Sequence, residues 1–445
     1  MHVIIVGAGQ VGSNIAASLA AEHDVVVVDR DPSVVENLTY SVDVLAIQGD
    51  GASLATLRDA GIDEADMLIA CTDDDESNLV ICSTARSVDD DVFTIARVRN
   101  VDFLETWTHS NDAFGVDFMV STDLLAAEDV VRVIGLPAAL DVDPFAGGAV
   151  QMAEFRIGEG SPVAEKTVAE ADEWEALTFA ALIRDGEVIV PDGDTVIQVG
   201  DKAIVIGRPD SVHSFAESVA PAETPDPDDV VIIGGSAIAY QTAKILEERG
   251  LRPRLIEHDA TRARELAEAL PKTTVIEHDA TDAEFLTAEH VDRADVAVAT
   301  LDSDEKNLLV SLLAKTLGVD RSVAIVENGD YTDLFETVGV DVAINPRDTT
   351  AEEIIRHTQD GQIENLALIE GRQAEVLEFE VDEESILAGR PIRDSARDLP
   401  DGVVIGAITR DGDYVIPRGG TVIVPGDHVV LFVAEGLVDE VAEKV

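Results

Sequence analysis

The chain has 445 residues, 46 % hydrophobic and only 4 % aromatic, with 89 Asp and Glu against 31 Lys and Arg and a formal net charge of −58. That length exceeds one ordinary core and points to three or four domains of about 100–200 residues, with interiors built from Val, Ile, Leu and Ala. The acidity and the lack of a basic stripe exclude nucleic acid and bare anionic membrane as partners, and no apolar run reaches the ~18 residues of a membrane span, so direct insertion is excluded too.

The acids are scattered among apolar strands and do not form blocks, which argues against a metal-storage protein or a disordered acidic tail. Such a surface repels itself in dilute buffer; at about 1 M salt the Debye length falls to about 3 Å, and the coat then keeps the chain hydrated without that strain. The composition therefore predicts the cytosol of a halophile. Cys71 and Cys82 are the only cysteines; their spacing fits no zinc or redox motif, so both are expected in the core of a protein from a reducing cytoplasm.

From the first residues, the strand "HVIIV" runs into "GAGQVG", where Gly7, Gly9 and Gly12 form GxGxxG, and a second strand, "DVVVVD", ends at Asp29, 22 residues after Gly7. Strand, glycine turn, helix and distal acid together are the dinucleotide fingerprint. Gly7 permits the turn, Gly9 leaves room for a pyrophosphate, and Gly12 lets the helix approach the sheet. The amides of Gln10 and Val11, next to Ala8 and Gly9, are expected to face the phosphates, and Asp29 the ribose hydroxyls. Arg30 raises the question of a 2′-phosphate, but the carboxylate of Asp29 repels one and favours NAD-type or adenosine ligands.

Strands "DVLAIQ", "DMLIAC", "VFTIARV" and "DFMVS" follow, separated by amphipathic helices. Their carboxyl ends carry "GDG" with Asp50 and Gly51, "CTDD" with Thr72 and Asp73, and "ARVRN" with Arg97, the expected phosphate clamp. The acids Asp73 to Glu76 are read as favourable partners of a helix dipole and part of the acidic coat, in preference to a metal site. The rhythm predicts a Rossmann-like, doubly wound parallel sheet over residues 1–134. Residues 135–218 carry the hairpin signal "RDGE" and a "VGD" turn, and read as a small α+β domain. The Pro-rich acidic stretch 219–229 reads as a linker.

The chain then repeats itself at an offset of about 227 residues: "VVIIGGSAIA" answers "VIIVGAGQVG", "DSDEKNL" answers "DDDESNL", and "RDGDYVIPRGGTVIVPGD" answers "RDGEVIVPDGDTVIQVGD". A second Rossmann-like domain is expected over 230–360 and a second α+β domain over 361–445. In this copy Ser236 replaces Gly9 and Ala239 replaces Gly12; Glu257 keeps the acid, and "VAIVEN" carries no arginine. Gly234, Gly235, Ser236, Glu257 and Asp279 are expected to form at most a weak second site, with the lobe serving mainly as an assembly surface. "IEHDAT" occurs twice, with His258 and His278. The two histidines could meet around a divalent ion, but the preferred reading has Asp259 and Asp279 capping the helices that follow, and no metal.

On "VIIVGAGQVG", "VVVVDRD", "IQGDG", "DMLIACTDDDESNL", "IARVRN" and "GVVIGAITRDGDYVIPRGGTVIVPGDHVVLF", the whole chain resembles the TrkA family, the cytosolic nucleotide-binding subunits of Trk potassium uptake systems, in the order RCK-N, RCK-C, RCK-N, RCK-C. The resemblance implies binding of NAD or NADH, with ATP or ADP as further ligands, at Gly7 to Val11, Asp29, Asp50 or Gly51, Thr72 with Asp73, and Arg97. It also implies a homo-oligomeric ring, which a duplicated chain would complete as a tetramer. That ring would be held at the inner face of the membrane by a TrkH-like potassium-translocating subunit, and the chain would be a regulator, not an enzyme. The alternatives are an NAD(P)-dependent oxidoreductase, for which the only histidine in residues 135–218 is His213 in "SVHSF", and a soluble nucleotide sensor acting on another transporter.

Overall fold

The computed structural model describes residues 1–20, 23–109, 113–220, 228–358, 363–369, 373–442 and 444–445. Of the linker read at 219–229, residues 221–227 lie outside the described residues. Val219 is the last residue of the helix Pro209–Val219 and is buried, while the amides of Asp228 and Asp229 bond to Asp295.

The first lobe is a six-stranded parallel sheet. Its strands are β1 (His2–Val6), β2 (Asp24–Asp29), β3 (Leu45–Gln48), β4 (Met67–Ala70), β5 (Phe93–Val98) and β6 (Phe118–Ser121), in the order β3-β2-β1-β4-β5-β6. Val3 of β1 pairs with Val25 on one side and Met67 on the other, which places β1 at the centre. Its run of Val and Ile is buried on both faces because helices cover both sides of the sheet. The strand order reverses between β1 and β4, the point where such sheets bind ligands. The second lobe repeats the plan: Thr274–Glu277, Arg254–Glu257, Val230–Ile233, Val296–Ala299, Arg321–Ile325 and Val342–Ile344 lie side by side, all parallel.

Each small lobe is a five-stranded antiparallel sheet with helices. In the first the order is Glu187–Ile189, Leu177–Arg184, Lys202–Gly207, Val150–Arg156, Ala139–Phe145; the second reproduces it from Asp413–Val415 through Val403–Arg410, His428–Ala434 and Ala374–Glu380 to Ile363–Ile369. The "RDG" signal is a tight hairpin, with Asp185 and Gly186, and Asp411 and Gly412, all at positive φ. Its arginine closes a loop with the aspartate of the later "GD": Arg184 grips Asp201 through two bonds of 2.7 Å, and Arg410 grips Asp427 at 2.7 and 2.8 Å. Both carboxylates are fully buried, so the fork satisfies a charge that burial would otherwise penalise.

The chain divides into two compact units, and these do not follow the two halves of the duplication. Met1–Val130 with Asp228–Thr358 joins both Rossmann lobes; Val131–Pro227 with Gln359–Val445 joins both small lobes. In the second unit one apolar core is built from both sheets, with Phe145, Met152 and Ile206 from one copy and Val376, Val430 and Phe432 from the other. In the first unit the helix Pro346–Arg356 of the second lobe packs on α1 (Gln10–Leu19) of the first.

Candidate functional site

At the switch point of the first lobe lies a cavity of about 350 Å³. Gly7, Gly9, Gln10, Val11, Asp29, Thr72, Asp73 and Arg97 line it, together with Val34 and Cys71 and, from the second lobe, Arg347. Four predicted residues, Ala8, Gly12, Asp50 and Gly51, are not part of that lining.

The three glycines of the fingerprint differ in their surroundings. Gly7 adopts φ +101°, which side chains resist. A Cβ at Gly12 would lie 1.8 Å from the carbonyl oxygen of Gly7, so that position is closed by the helix's approach to the turn. A Cβ at Gly9 would meet nothing within 4 Å: the space above it is open, and Gly9 caps α1 with no side-chain hydrogen bond. The first turn of α1 thus presents bare main chain to the cavity, the arrangement that suits an anion. Beside it, Asp29 is fixed by the amides of Ala8, 2.6 Å from Oδ2, and Asp31, 2.8 Å from Oδ1.

Arg97 forms another part of the wall. It is only 3 % exposed; its Nε donates to Thr122 Oγ1 at 2.9 Å and its Nη1 lies 3.5 Å from Asp73 Oδ1. Burial, and then the nearby charge of Arg99, lower its pKa. Burial also pushes the Cys71 thiol up to about 12, so it is a neutral wall of the crevice, and raises that of Cys82.

Asp50 and Gly51 each meet neighbours of their own outside that lining. Asp50 accepts from Arg30 at 2.9 Å and from the amide of Ala52, and the Arg30 bond holds its carboxyl below the usual range. The same pair occupies Arg30, the residue that raised the 2′-phosphate question. Gly51 is bare because a Cβ there would lie 2.1 Å from Val6 Cγ1. The acids Asp73 to Glu76 are also more individual than a coat. Asp74 caps the helix Asp75–Arg86 through Ser77, Asp73 pairs with Arg99 as well as Arg97, and Asp75 accepts the amides of Arg99 and Asn100, tying the helix to the end of β5.

One site-building residue was missed in the sequence. Asn78 is wholly buried; its Oδ1 accepts from the amide and hydroxyl of Thr72 at 3.0 and 2.6 Å, and its Nδ2 donates to the carbonyls of Thr72 and Arg97 at 3.0 and 2.8 Å. It locks together two strand ends that line the crevice. Asn307 does the same for Leu301 and Ile325 in the second lobe. The signal was an amide at the same place in both copies, in "DDDESNL" and "DSDEKNL".

The second lobe keeps a crevice of about 380 Å³, as large as the first, lined by Gly234, Gly235, Ser236, Glu257, Asp279 and also His258, His278 and Lys306. Glu257 is held as Asp29 is, by the amides of Gly235 at 2.7 Å and Asp259 at 2.6 Å. The helix start differs. Ser236 Oγ accepts the amide of Ala239 at 3.1 Å and fills the cap that Gly9 leaves open, and Ile325 stands where β5 carries Arg97. Asp259 caps the helix Ala260–Ala269 as expected, whereas Asp279 turns onto Thr281 and leaves the next cap to Asp282. His278 stacks on Phe285 at 3.7 Å, and His258 Nδ1 sits 2.8 Å from Glu257.

The family model described as the TrkA-N domain matches residues 3–122 and 230–346, and the TrkA-C domain matches 152–220 and 376–445. The chain is 36 % identical over 448 residues to the Trk system potassium uptake protein TrkA homolog 1 of Methanosarcina mazei, covering 99 % of each chain. It is 31 % identical over 444 residues to the Trk system potassium uptake protein TrkA of Haemophilus influenzae, covering 98 % of this chain and 96 % of that one. Among solved structures, the GsuK RCK domain superposes with a TM-score of 0.61 at 20 % identity, covering 99 % of this chain and 95 % of that one, and the GsuK channel bound to NAD with 0.60 at 20 % identity, covering 99 % and 79 %. With both domain types matched twice and full-length relatives above 30 % identity, the chain belongs to the TrkA family of Trk potassium uptake proteins.

Proposed function

We propose that the first-lobe crevice binds NAD or NADH, with ADP and ATP as further ligands, and that this binding regulates potassium uptake through a membrane-embedded TrkH-like subunit. The carrying observation is the pairing, in one lobe only, of an open helix start at Gly9 with a fixed ribose acceptor, Asp29, and a buried arginine, Arg97. The relatives are named as Trk potassium uptake proteins, and the neighbour named as a channel bound to NAD supports the same ligand class. No helix among the described residues is long and apolar enough to cross a membrane, so a separate pore subunit would conduct the ion.

In this reading the chain is a regulator without turnover, at the inner face of the membrane, and assembles as a homotetrameric ring of eight Rossmann lobes. Moving such an assembly from 1:99 to 99:1 requires about 5.5 kcal/mol of differential binding, which several sites supply jointly. The acidic surface suits a halophile's interior. The second lobe contributes assembly surface and a crevice that keeps the ribose acceptor without the phosphate cradle.

The test is calorimetric titration of the full chain with NADH, NAD, ADP and ATP in multimolar KCl, followed by potassium flux through the chain reconstituted with its pore subunit. Saturable binding that changes flux, with no consumption of NADH, is the expected result. An Asp29→Ala variant whose flux responds to nucleotide as the unmodified protein does would remove this crevice from the mechanism.

A further inference from the structure

We propose that Arg347, carried by the second Rossmann lobe, is a phosphate-binding residue of the first-lobe crevice, and that a bound pyrophosphate draws its guanidinium away from Glu327. The inference rests on the nucleotide reading of that crevice and adds the residue through which the other lobe takes part.

Arg347 lines the first-lobe cavity although it lies far along the chain, in the first turn of the helix Pro346–Arg356. That helix is pinned to the first lobe by polar contacts: Asp348 Oδ1 accepts from Asn14 at 2.7 Å, Thr349 donates to Asp129 at 2.8 Å, and Thr350 donates to Thr122 at 3.1 Å. Its start is fixed by Asn345, whose Oδ1 accepts the amides of Arg347 and Asp348. The root of the arginine is therefore held at the crevice rim while its head stays 31 % exposed.

The head has weak partners. Nη1 donates to Gln10 Oε1 at 2.9 Å and to the carbonyl of Glu327 at 3.1 Å, and Nη2 lies 3.1 Å from Glu327 Oε2, a carboxylate 54 % exposed. An exposed ion pair of this kind contributes little and is screened further by salt. Gln10 is the first residue of α1, beside the open space over Gly9, so the guanidinium already touches the turn where a pyrophosphate would rest. Gly329 closes the other side of Gln10: a Cβ there would come within 2.8 Å of its Nε2. A pyrophosphate at Gly9 and Gln10, with a full negative charge on each phosphate, offers the planar fork of Arg347 a stronger, bidentate partner than either present one. The first copy has Asp123 at the equivalent position, so the arginine belongs to the lobe that gave up its own phosphate cradle.

The test uses the full chain in multimolar KCl, titrated with NADH, ADP and adenosine, which shares the Asp29 contacts but lacks phosphate. Arg347→Gln is expected to weaken NADH and ADP by about tenfold and leave adenosine unchanged, with Arg347→Lys in between. Glu327→Gln, which frees the guanidinium, is expected to tighten NADH. Thermal melting of the unliganded variants checks that all three fold. NADH affinity in Arg347→Gln within twofold of the unmodified protein overturns the inference, as does a Glu327→Gln variant that weakens NADH as Arg347→Gln does, because that pattern marks a purely structural ion pair. Failure of the unmodified protein to bind NADH or ADP at all overturns the nucleotide reading, and this inference with it.

Discussion

Ser236 Oγ accepts the amide of Ala239 at 3.1 Å, at the turn where the first copy has Gly9 and no side-chain cap. One hydroxyl thus does for the second lobe what a ligand's phosphate is proposed to do for the first. Replacing such a cap by alanine costs about 1 kcal/mol. Ser236→Ala is expected to lower stability by that amount in denaturant titration without creating phosphate affinity, because Ile325 still stands in the arginine's place.

Gly9 and Gly12 separate binding from folding. Gly9 has φ −66°, which alanine accepts, and open space around it, so Gly9→Ala is expected to leave the melting temperature within error while abolishing NADH binding. Gly12→Ala would place a Cβ 1.8 Å from a carbonyl oxygen and is expected to destabilise by about 2 kcal/mol or more. Calorimetry and chemical denaturation of the two variants, compared side by side, check this pair.

Asn78 makes four hydrogen bonds from a wholly buried position. Asn78→Ala would leave the Arg97 carbonyl and the Thr72 main chain without those partners, at a cost of about 2–4 kcal/mol. Denaturant midpoints measure the loss, and nucleotide titration should show weaker binding because both Thr72 and Arg97 line the crevice.

Asp123 has its pKa raised by burial to about 6, against the partial opposition of Arg99 and Arg97. The folded protein keeps this proton up to that pH, whereas the unfolded chain releases it near 4. The penalty for ionising the group is therefore absent below about pH 4, grows between 4 and 6, and is complete above 6. Asp123→Asn is expected to stabilise the protein by about 1–3 kcal/mol at pH 7–8 and by almost nothing at pH 4. Difference stability curves between variant and unmodified protein read this without interference from the other carboxylates.

The net charge of −58 predicts salt-dependent stability. Melting temperature should rise steeply as KCl increases from about 0.1 M to about 1 M, where the screening length drops from about 10 to about 3 Å. A flat profile over that range would count against the high-salt habitat.

Much of the fold was legible because its signals are local. Val and Ile runs broken by glycine turns mark strands buried on both faces, and the duplication is visible as repeated words. The glycine fingerprint and Asp29 were readable because a single turn brings them together. What was not legible depends on side chains meeting across distance. Asp50 lies just past β3, which ends at Gln48, and its carboxylate is paired with Arg30. Nothing in the periodicity of the helix "PRDTTAEEIIR" says that Asp348 and Arg347 reach Asn14 and Gln10 of α1, or that Thr349 and Thr350 reach Asp129 and Thr122. Likewise the alternation of Val and Ile in each small lobe shows a buried face without showing that the other copy covers it.

That shared interior of the small lobes limits how the chain could be taken apart. A polypeptide truncated after the first half would present Phe145, Met152 and Ile206 to water and would have to find a second molecule to hide them. Fusion makes the encounter intramolecular, so dilution cannot undo it. A gene written as one reading frame also lets the two sides drift apart in sequence, and a dimer of identical halves could not have kept Gly9 on one side and Ser236 on the other.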